Sequence, residues 1–301
     1  MAKTHPNLLL DPLAIQRAES LGLHARFVVE GYMAGEHKSP YRGFAVEFTQ
    51  HREYVPGDDT RHLDWKVLGR TDRYYLKQYE QETNYVAHIL LDGSESMKYG
   101  SGSITKLDYG KMMAACLSYL ILHQRDAVAV GVFDAAMRHY LPRTGNMASI
   151  HTIMSILAAF KPTEQTGIGP VLHEAAGQIR RKGIVILISD LFDDEDAIMS
   201  GIQHLRFGGN EVILFHTMDP FELEFPFSGM VEFDGLEKME KLMTRPREIR
   251  KSYLREVESF RARIREGCDR NNVHYVLVNT TQPLHEVLSG YLAFRLKTTT
   301  R

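Results

Sequence analysis

The chain has 301 residues, of which 44% are hydrophobic and 25% charged, and its formal net charge is -2. That composition belongs to a globular protein able to bury a sizeable core without staples. The near-neutral balance offers no global field toward nucleic acid or an anionic membrane.

Two cysteines, Cys116 and Cys268, fall in separate helical patterns, which reads as thiols in a reducing compartment rather than a disulfide or zinc site. The Leu8-Leu9-Leu10 run is cut by Asp11 and Pro12, too short for a signal segment or a spanning helix. No membrane insertion and a cytoplasmic location are therefore expected.

Asp11-Pro12 opens a helix with proline in its first turn, and Gly22 ends it. Gly31, Gly35, Ser39 and Pro40 mark a break. Residues 41–84 interleave charged and aromatic side chains, with a turn signal at Pro56-Gly57-Asp58-Asp59 and a strand from Arg73 to Tyr79. The expectation is a small β-rich layer held by arginine–carboxylate pairs, with Trp65 packed among them; a binding surface is the alternative. Residues 1–84 thus read as an extension, helical and β-rich, packed on a main domain of residues 85–301.

From residue 85 the pattern alternates. Tyr85 to Leu91 is an apolar strand that stops at Asp92. Lys106 to His123 is a helix apolar almost all round, hence deeply buried. Ala127 to Phe133 is a strand, and Arg138 to Leu141 an antiparallel edge strand. Met147 to Phe160 is an amphipathic helix that Pro162 ends. A helix from about Pro170 to Arg181 leads to the strand Gly183 to Asp190, and the helix Asp193 to Phe207 leads to the strand Glu211 to His216. Residues 218–246 read as an insertion with a hairpin around Phe225 to Gly229. The helix Arg247 to Asn271, the strand Val273 to Val278 and the helix Leu284 to Leu296 complete the chain. Strands alternating with helices give an α/β fold with a mostly parallel sheet covered on both faces.

Chemistry concentrates at strand ends. Asp92, Ser94 and Ser96 occupy alternate positions after the first strand, and in an extended loop alternate side chains point the same way. Convergent oxygens suit a hard cation. A strand followed by a polar turn and a helix cap accounts for the same residues. Glu95, between the serines, points away and is left out of the ligand set. Asp190 ends a later strand, and Thr166 precedes the intervening helix. Asp193 to Asp196 favour a helix start through its dipole, and Thr105 or Asp108 caps the helix after the motif.

Asp-x-Ser-x-Ser at 92–96, Thr166 and Asp190 resemble the metal-ion-dependent adhesion site of von Willebrand factor A domains. The resemblance implies a von Willebrand factor A-like, Rossmann-type sheet and a ligand set of Asp92, Ser94, Ser96, Thr166 and Asp190. The cation expected there is Mg²⁺, or another divalent ion such as Ca²⁺ or Mn²⁺, with one open position for a partner's carboxylate. A second stretch, Arg52-Glu53-Tyr54-Val55-Pro56-Gly57-Asp58-Asp59-Thr60-Arg61-His62-Leu63-Asp64-Trp65, with Asp219-Pro220-Phe221-Glu222 and Tyr291-Leu292-Ala293-Phe294-Arg295, resembles the prokaryotic family called domain of unknown function 58. That resemblance implies a non-enzymatic adaptor or co-chaperone for a MoxR-type AAA+ ATPase or its client.

Two other classes compete. A Mg²⁺-dependent phosphohydrolase would use Asp92 as nucleophile, but such enzymes place a second aspartate two residues on, where this chain has Ser94, and no Walker loop is present. A nucleic-acid binder would use the arginines of residues 245–265, but Glu248, Glu256 and Glu258 interleave with them, as on a solvated ion-paired face.

Overall fold

Every residue from Val86 to Asp92 is buried, as a strand covered on both faces requires. This strand lies inside the larger of two compact units in the computed structural model. The structure describes residues 9–13, 15–16, 46–55, 63–81, 86–162, 167–180, 182–233 and 242–299. Residues 1–35 group with 85–301, and residues 36–84 form the second unit.

The smaller unit holds β1 (Val46–Glu53), α1 (Trp65–Thr71) and β2 (Tyr75–Gln81). β1 and β2 pair antiparallel, with a register shift between Phe48 and Gln50. Asp64 caps α1, its side chain accepting from the Lys66 and Val67 amides. Tyr54 and Tyr74 face each other at 6.1 Å, and Arg73 meets Glu53 at 3.8 Å on the exposed surface. Trp65 is not packed among ion pairs as expected: it is 67% exposed, because it stands at the first turn of a short helix with no buried face. The turn expected at 56–59 lies outside the described residues.

In the larger unit the elements are β3 (Val86–Asp92), α2 (Lys106–His123), β4 (Ala127–Phe133), β5 (Met137–Thr144), α3 (Ser149–Ala159), α4 (Ile168–Gln178), β6 (Gly183–Ser189), α5 (Glu195–Phe207), β7 (Glu211–Met218), α6 (Pro220–Glu224), β8 (Val231–Phe233), β9 (Leu242–Thr244), α7 (Pro246–Arg270), β10 (His274–Asn279) and α8 (Leu284–Thr299). Asp11 holds the described start of the N-terminal helical turn, accepting from the Leu13 amide at 3.0 Å.

The six-stranded sheet has the order β10-β7-β6-β3-β4-β5. All neighbours are parallel except β5, which runs antiparallel to β4. Alternation along each strand separates two cores. Ile89 and Leu91 face α2, α3 and α8, whereas Leu90 and Leu187 face α4, α5 and α7. Cys116 lies in the first core and Cys268 in the second, both as buried free thiols. Each fully buried aliphatic side chain stabilises the fold by roughly 1.5–3 kcal/mol relative to exposure, and residues such as Ile89, Leu91, Val185 and Leu187 are at 0%.

The chain runs from β3 to β4 in one direction and later fills β6, β7 and β10 in the other. The boundary between β3 and β6 is therefore a topological switch point, where open α/β sheets form crevices at the carboxyl ends of their strands. The hairpin in the insertion comes later than the Phe225 to Gly229 stretch. Its strands are β8 and β9, while Phe225 ends α6 in a left-handed conformation with φ 47° and packs its ring on Tyr253 at 4.3 Å. Among the described residues no helix is long and apolar enough to cross a membrane.

Candidate metal centre

Asp92 and Asp190 emerge at the carboxyl ends of β3 and β6, the two parallel strands at the switch point. Asp92 is wholly buried and Asp190 is 6% exposed. Asp92 accepts from the Ser94 amide at 2.9 Å and from the Ser189 hydroxyl at 2.6 Å. Asp190 accepts from the Ser96 hydroxyl at 3.1 Å and from the Phe192 amide at 3.2 Å. The Ser94 and Ser96 hydroxyls are 3.0 Å apart. Four of the five residues singled out from sequence thus meet in one buried spot. Thr166 lies outside the described residues.

The serines converge by a different route from the extended loop expected. Glu95 is in the helical region at φ -64°, ψ -33°, and Ser96–Lys98 form a turn of 3-10 helix. The tight turn folds Ser96 back over Ser94 and sends Glu95 outward, where it meets Lys98 at 2.7 Å. Gly93 permits this close packing. A Cβ there would stand 2.2 Å from the Phe160 ring.

Lys106, the first residue of α2, is the cation that meets the site among the described residues. Its ammonium lies 2.7 Å from Asp190 and 2.6 Å from Glu222, with 4% of the side chain exposed. Burial works to lower its pKa, but Asp190 and Glu222 together outweigh burial and raise it, so it stays protonated. Thr105 and Asp108 form a capping box that fixes this end of the helix. A second capping box aims Glu222: Asp219 caps α6, and Glu222 returns one oxygen to the Asp219 amide at 2.8 Å while the other holds Lys106.

Charge is not balanced here. Burial first, and then the charge of Asp190, push the Asp92 carboxyl well above the usual carboxylate range, against the pull of hydrogen bonds from Ser189 and Ser94. Burial also raises Glu222 despite Lys106 beside it. Asp134, at the end of β4, is a further buried carboxylate on this edge, but Arg138 meets it at 2.6 Å.

His216 on β7 fixes the backbone behind the site. Its Nε2 donates to the Asp190 carbonyl at 3.1 Å, and its Nδ1 accepts from the Tyr275 hydroxyl at 2.8 Å. Burial lowers its pKa to about 4, which keeps the ring neutral.

Sequence reasoning missed Lys106 and Glu222 as parts of this edge. Lys106 was readable as the odd charge opening a helix apolar all round. Beyond the site a cavity of about 530 Å³ opens between the end of β6, β7 and α7. Among the described residues no group of three or more His, Cys, Asp and Glu side chains is gathered to hold a metal ion. The donor set is two carboxylates and two hydroxyls, an all-oxygen set of the kind hard cations take.

Two solved structures are similar to the larger part of the chain. One is the conserved hypothetical protein BatB from Bacteroides thetaiotaomicron, 18% identical, covering 71% of this chain and 100% of that one with a TM-score of 0.49. The other is an aerotolerance-related membrane protein from Bacteroides fragilis, 18% identical, covering 72% and 99% with a TM-score of 0.47. By sequence the chain is 26% identical over 248 residues to the uncharacterized protein Rv1480 of Mycobacterium tuberculosis, covering 78% of this chain and 76% of that protein. The uncharacterized protein Mb1516 of Mycobacterium bovis matches to the same extent. The model of the family described as protein of unknown function DUF58 matches residues 50–263, and this chain belongs to that family.

Proposed function

We propose that the protein is a non-enzymatic interaction module that holds a divalent cation at the carboxyl edge of β3 and β6 and binds a carboxylate of a protein partner there. The observation that carries this reading is the burial of two carboxylates, Asp92 and Asp190, against two hydroxyls, with one nearby ammonium among the described residues, which Asp190 shares with Glu222. The donor chemistry fits Mg²⁺, or Ca²⁺ or Mn²⁺. Asp92, Ser94, Ser96 and Asp190 would hold the ion, with Thr166 as the fifth ligand. Hydroxyl ligands add no negative charge, so the ion would supply an electrophilic position for an incoming carboxylate. On this reading the residues make up an adhesion site of the von Willebrand factor A kind. By family resemblance the partner is a MoxR-type AAA+ ATPase or its client.

Phosphohydrolase chemistry at Asp92 is a weaker reading. Both its oxygens are engaged, by Ser94 and Ser189, in a spot with no exposure, which suits a ligand better than a nucleophile.

Calorimetric titration with MgCl₂ tests the proposal. Wild type should show saturable binding, and Asp92→Ala should show none. Equal binding by both sinks the site. Affinity capture of the ATPase should then require Mg²⁺ and fail in EDTA; retention in EDTA places the contact elsewhere on the chain.

A further inference from the structure

The cavity beside the candidate centre has a chemistry of its own. Its floor and walls are apolar: Leu191, Phe192, Met218, Tyr253, Val257 and Phe260. Phe192 stands at its lip with 52% of its surface exposed. The volume, about 530 Å³, lies within the range of about 300–1,000 Å³ usual for ligand pockets.

The polar lining is one-sided. Five carboxylates, Asp190, Asp193, Glu195, Glu222 and Glu256, face two cations, Lys106 and Arg263. Both cations are already shared. Lys106 is held between Asp190 and Glu222. Arg263 grips Glu195 through two hydrogen bonds at 2.7 and 2.8 Å and reaches Glu256 at 3.1 Å. Asp193 accepts only backbone amides among its described hydrogen bonds, from Ile168 at 2.7 Å and Asp194 at 2.8 Å. Among the described residues that line it, both cations are already engaged and carboxylate is in surplus, which favours a cationic group over an anionic one.

We propose that this cavity receives an arginine side chain from a protein partner. Three features suit arginine, and the first two favour it over other cationic groups. Its guanidinium stacks on aromatic faces, and Phe192, Tyr253 and Phe260 line the space. Its planar fork carries several donors, which suits carboxylates spread along two walls. Its methylene stem covers apolar surface while the head stays polar, and Met218 and Val257 offer that surface. The inference rests on the cavity alone and holds whether or not a cation sits at Asp92 and Asp190.

The test uses the full chain with methyl-labelled methionine and valine, followed by NMR during titration with amidated Gly-Ser-Arg-Ser-Gly. Parallel arms carry Gln or Glu in place of Arg, and a further arm uses free arginine. Each runs in EDTA and again in MgCl₂. The arginine peptide should shift the Met218 and Val257 methyls saturably in both buffers. The Gln peptide should bind at least tenfold more weakly and the Glu peptide should leave the signals unmoved. Glu256→Gln, at an exposed position, should weaken the arginine peptide three- to tenfold. Val257→Arg, which tethers a guanidinium in the cavity, should abolish its binding.

Equal binding of the Gln or Glu peptide overturns the charge argument. Free arginine binding as tightly as the peptide overturns the assignment to a protein partner. Arginine shifts seen only with MgCl₂ overturn the claim of independence. Loss of Mg²⁺ binding with arginine binding intact would sink the cation proposal and leave this one standing.

Discussion

Replacing Asp92 by Asn keeps the shape of the side chain and removes one buried negative charge. Its oxygen can still accept from the Ser94 amide, and its amide can donate to the Ser189 hydroxyl. What disappears is repulsion between Asp92 and Asp190, which burial and charge together make costly. At an effective dielectric constant near 20 like charges in close contact repel by roughly 4 kcal/mol, and by less as they separate. In EDTA at pH 8 the variant should therefore be more stable than wild type, by about 1–3 kcal/mol. Mg²⁺ should act the other way round. At ten times its dissociation constant a bound ion stabilises the wild-type fold by about 1.4 kcal/mol, and the variant should gain nothing. Urea unfolding with and without MgCl₂ measures all four quantities. A variant that is less stable than wild type in EDTA, or that gains as much from Mg²⁺, refutes the reasoning, because Asp92 would then be a structural acceptor and not a ligand waiting for charge.

Four further outcomes follow from the geometry. Lys106→Met leaves Asp190 and Glu222 facing each other without their shared ammonium; it should cost about 3–5 kcal/mol in EDTA and recover part of that in MgCl₂, as thermal unfolding would show. Gly93→Ala drives a methyl into the Phe160 ring; overpacking should cost about 1–3 kcal/mol and weaken Mg²⁺ binding in calorimetry. Thr105→Ala breaks the capping box of α2 and should cost about 1 kcal/mol in urea with little effect on the cation. His88, buried in β3 with neither ring nitrogen hydrogen-bonded among the described residues, has its pKa lowered by burial from 6.5 to about 4. Its neutral form is the folded one, so its contribution is complete above about pH 6.5 and is lost as pH falls toward 4. A depression of that size corresponds to roughly 3 kcal/mol. Urea midpoints of wild type should drop over that window, and those of His88→Leu should drop less.

The alternation of strands and helices from residue 86 onward was legible because the central strands β3, β4, β6 and β7 are buried on both faces and each ends at or just before a polar residue. Lys106–His123 and Ala127–Phe133 match the sequence reading to the residue. The edge strand β5 runs from Met137 to Thr144, longer than expected, because half-exposed positions carry little apolar signal. The helix α1 went unread, because seven residues containing Gly69 offer no periodicity. Within the site, the residue types were legible and their geometry was not. Asp92, Ser94, Ser96 and Asp190 were named from strand ends, yet the 3-10 turn that joins the serines depends on Gly93 meeting Phe160, a contact between distant segments. Lys106 and Glu222 meet only because two separate capping boxes aim them at one point. Such pairings are tertiary and leave no local mark.

The parallel pairing of β3 with β6 also sets a clock. Ser189 and Asp92 bond across 97 residues of chain. At a synthesis rate of about 5–20 residues per second, the first half of the site waits roughly 5–20 s for the second to emerge. During that interval Asp92 has no Asp190 beside it, and the surface proposed to meet a partner does not yet exist. A partner that recognises this edge would therefore meet only chains made past β6, and would pass over shorter ones.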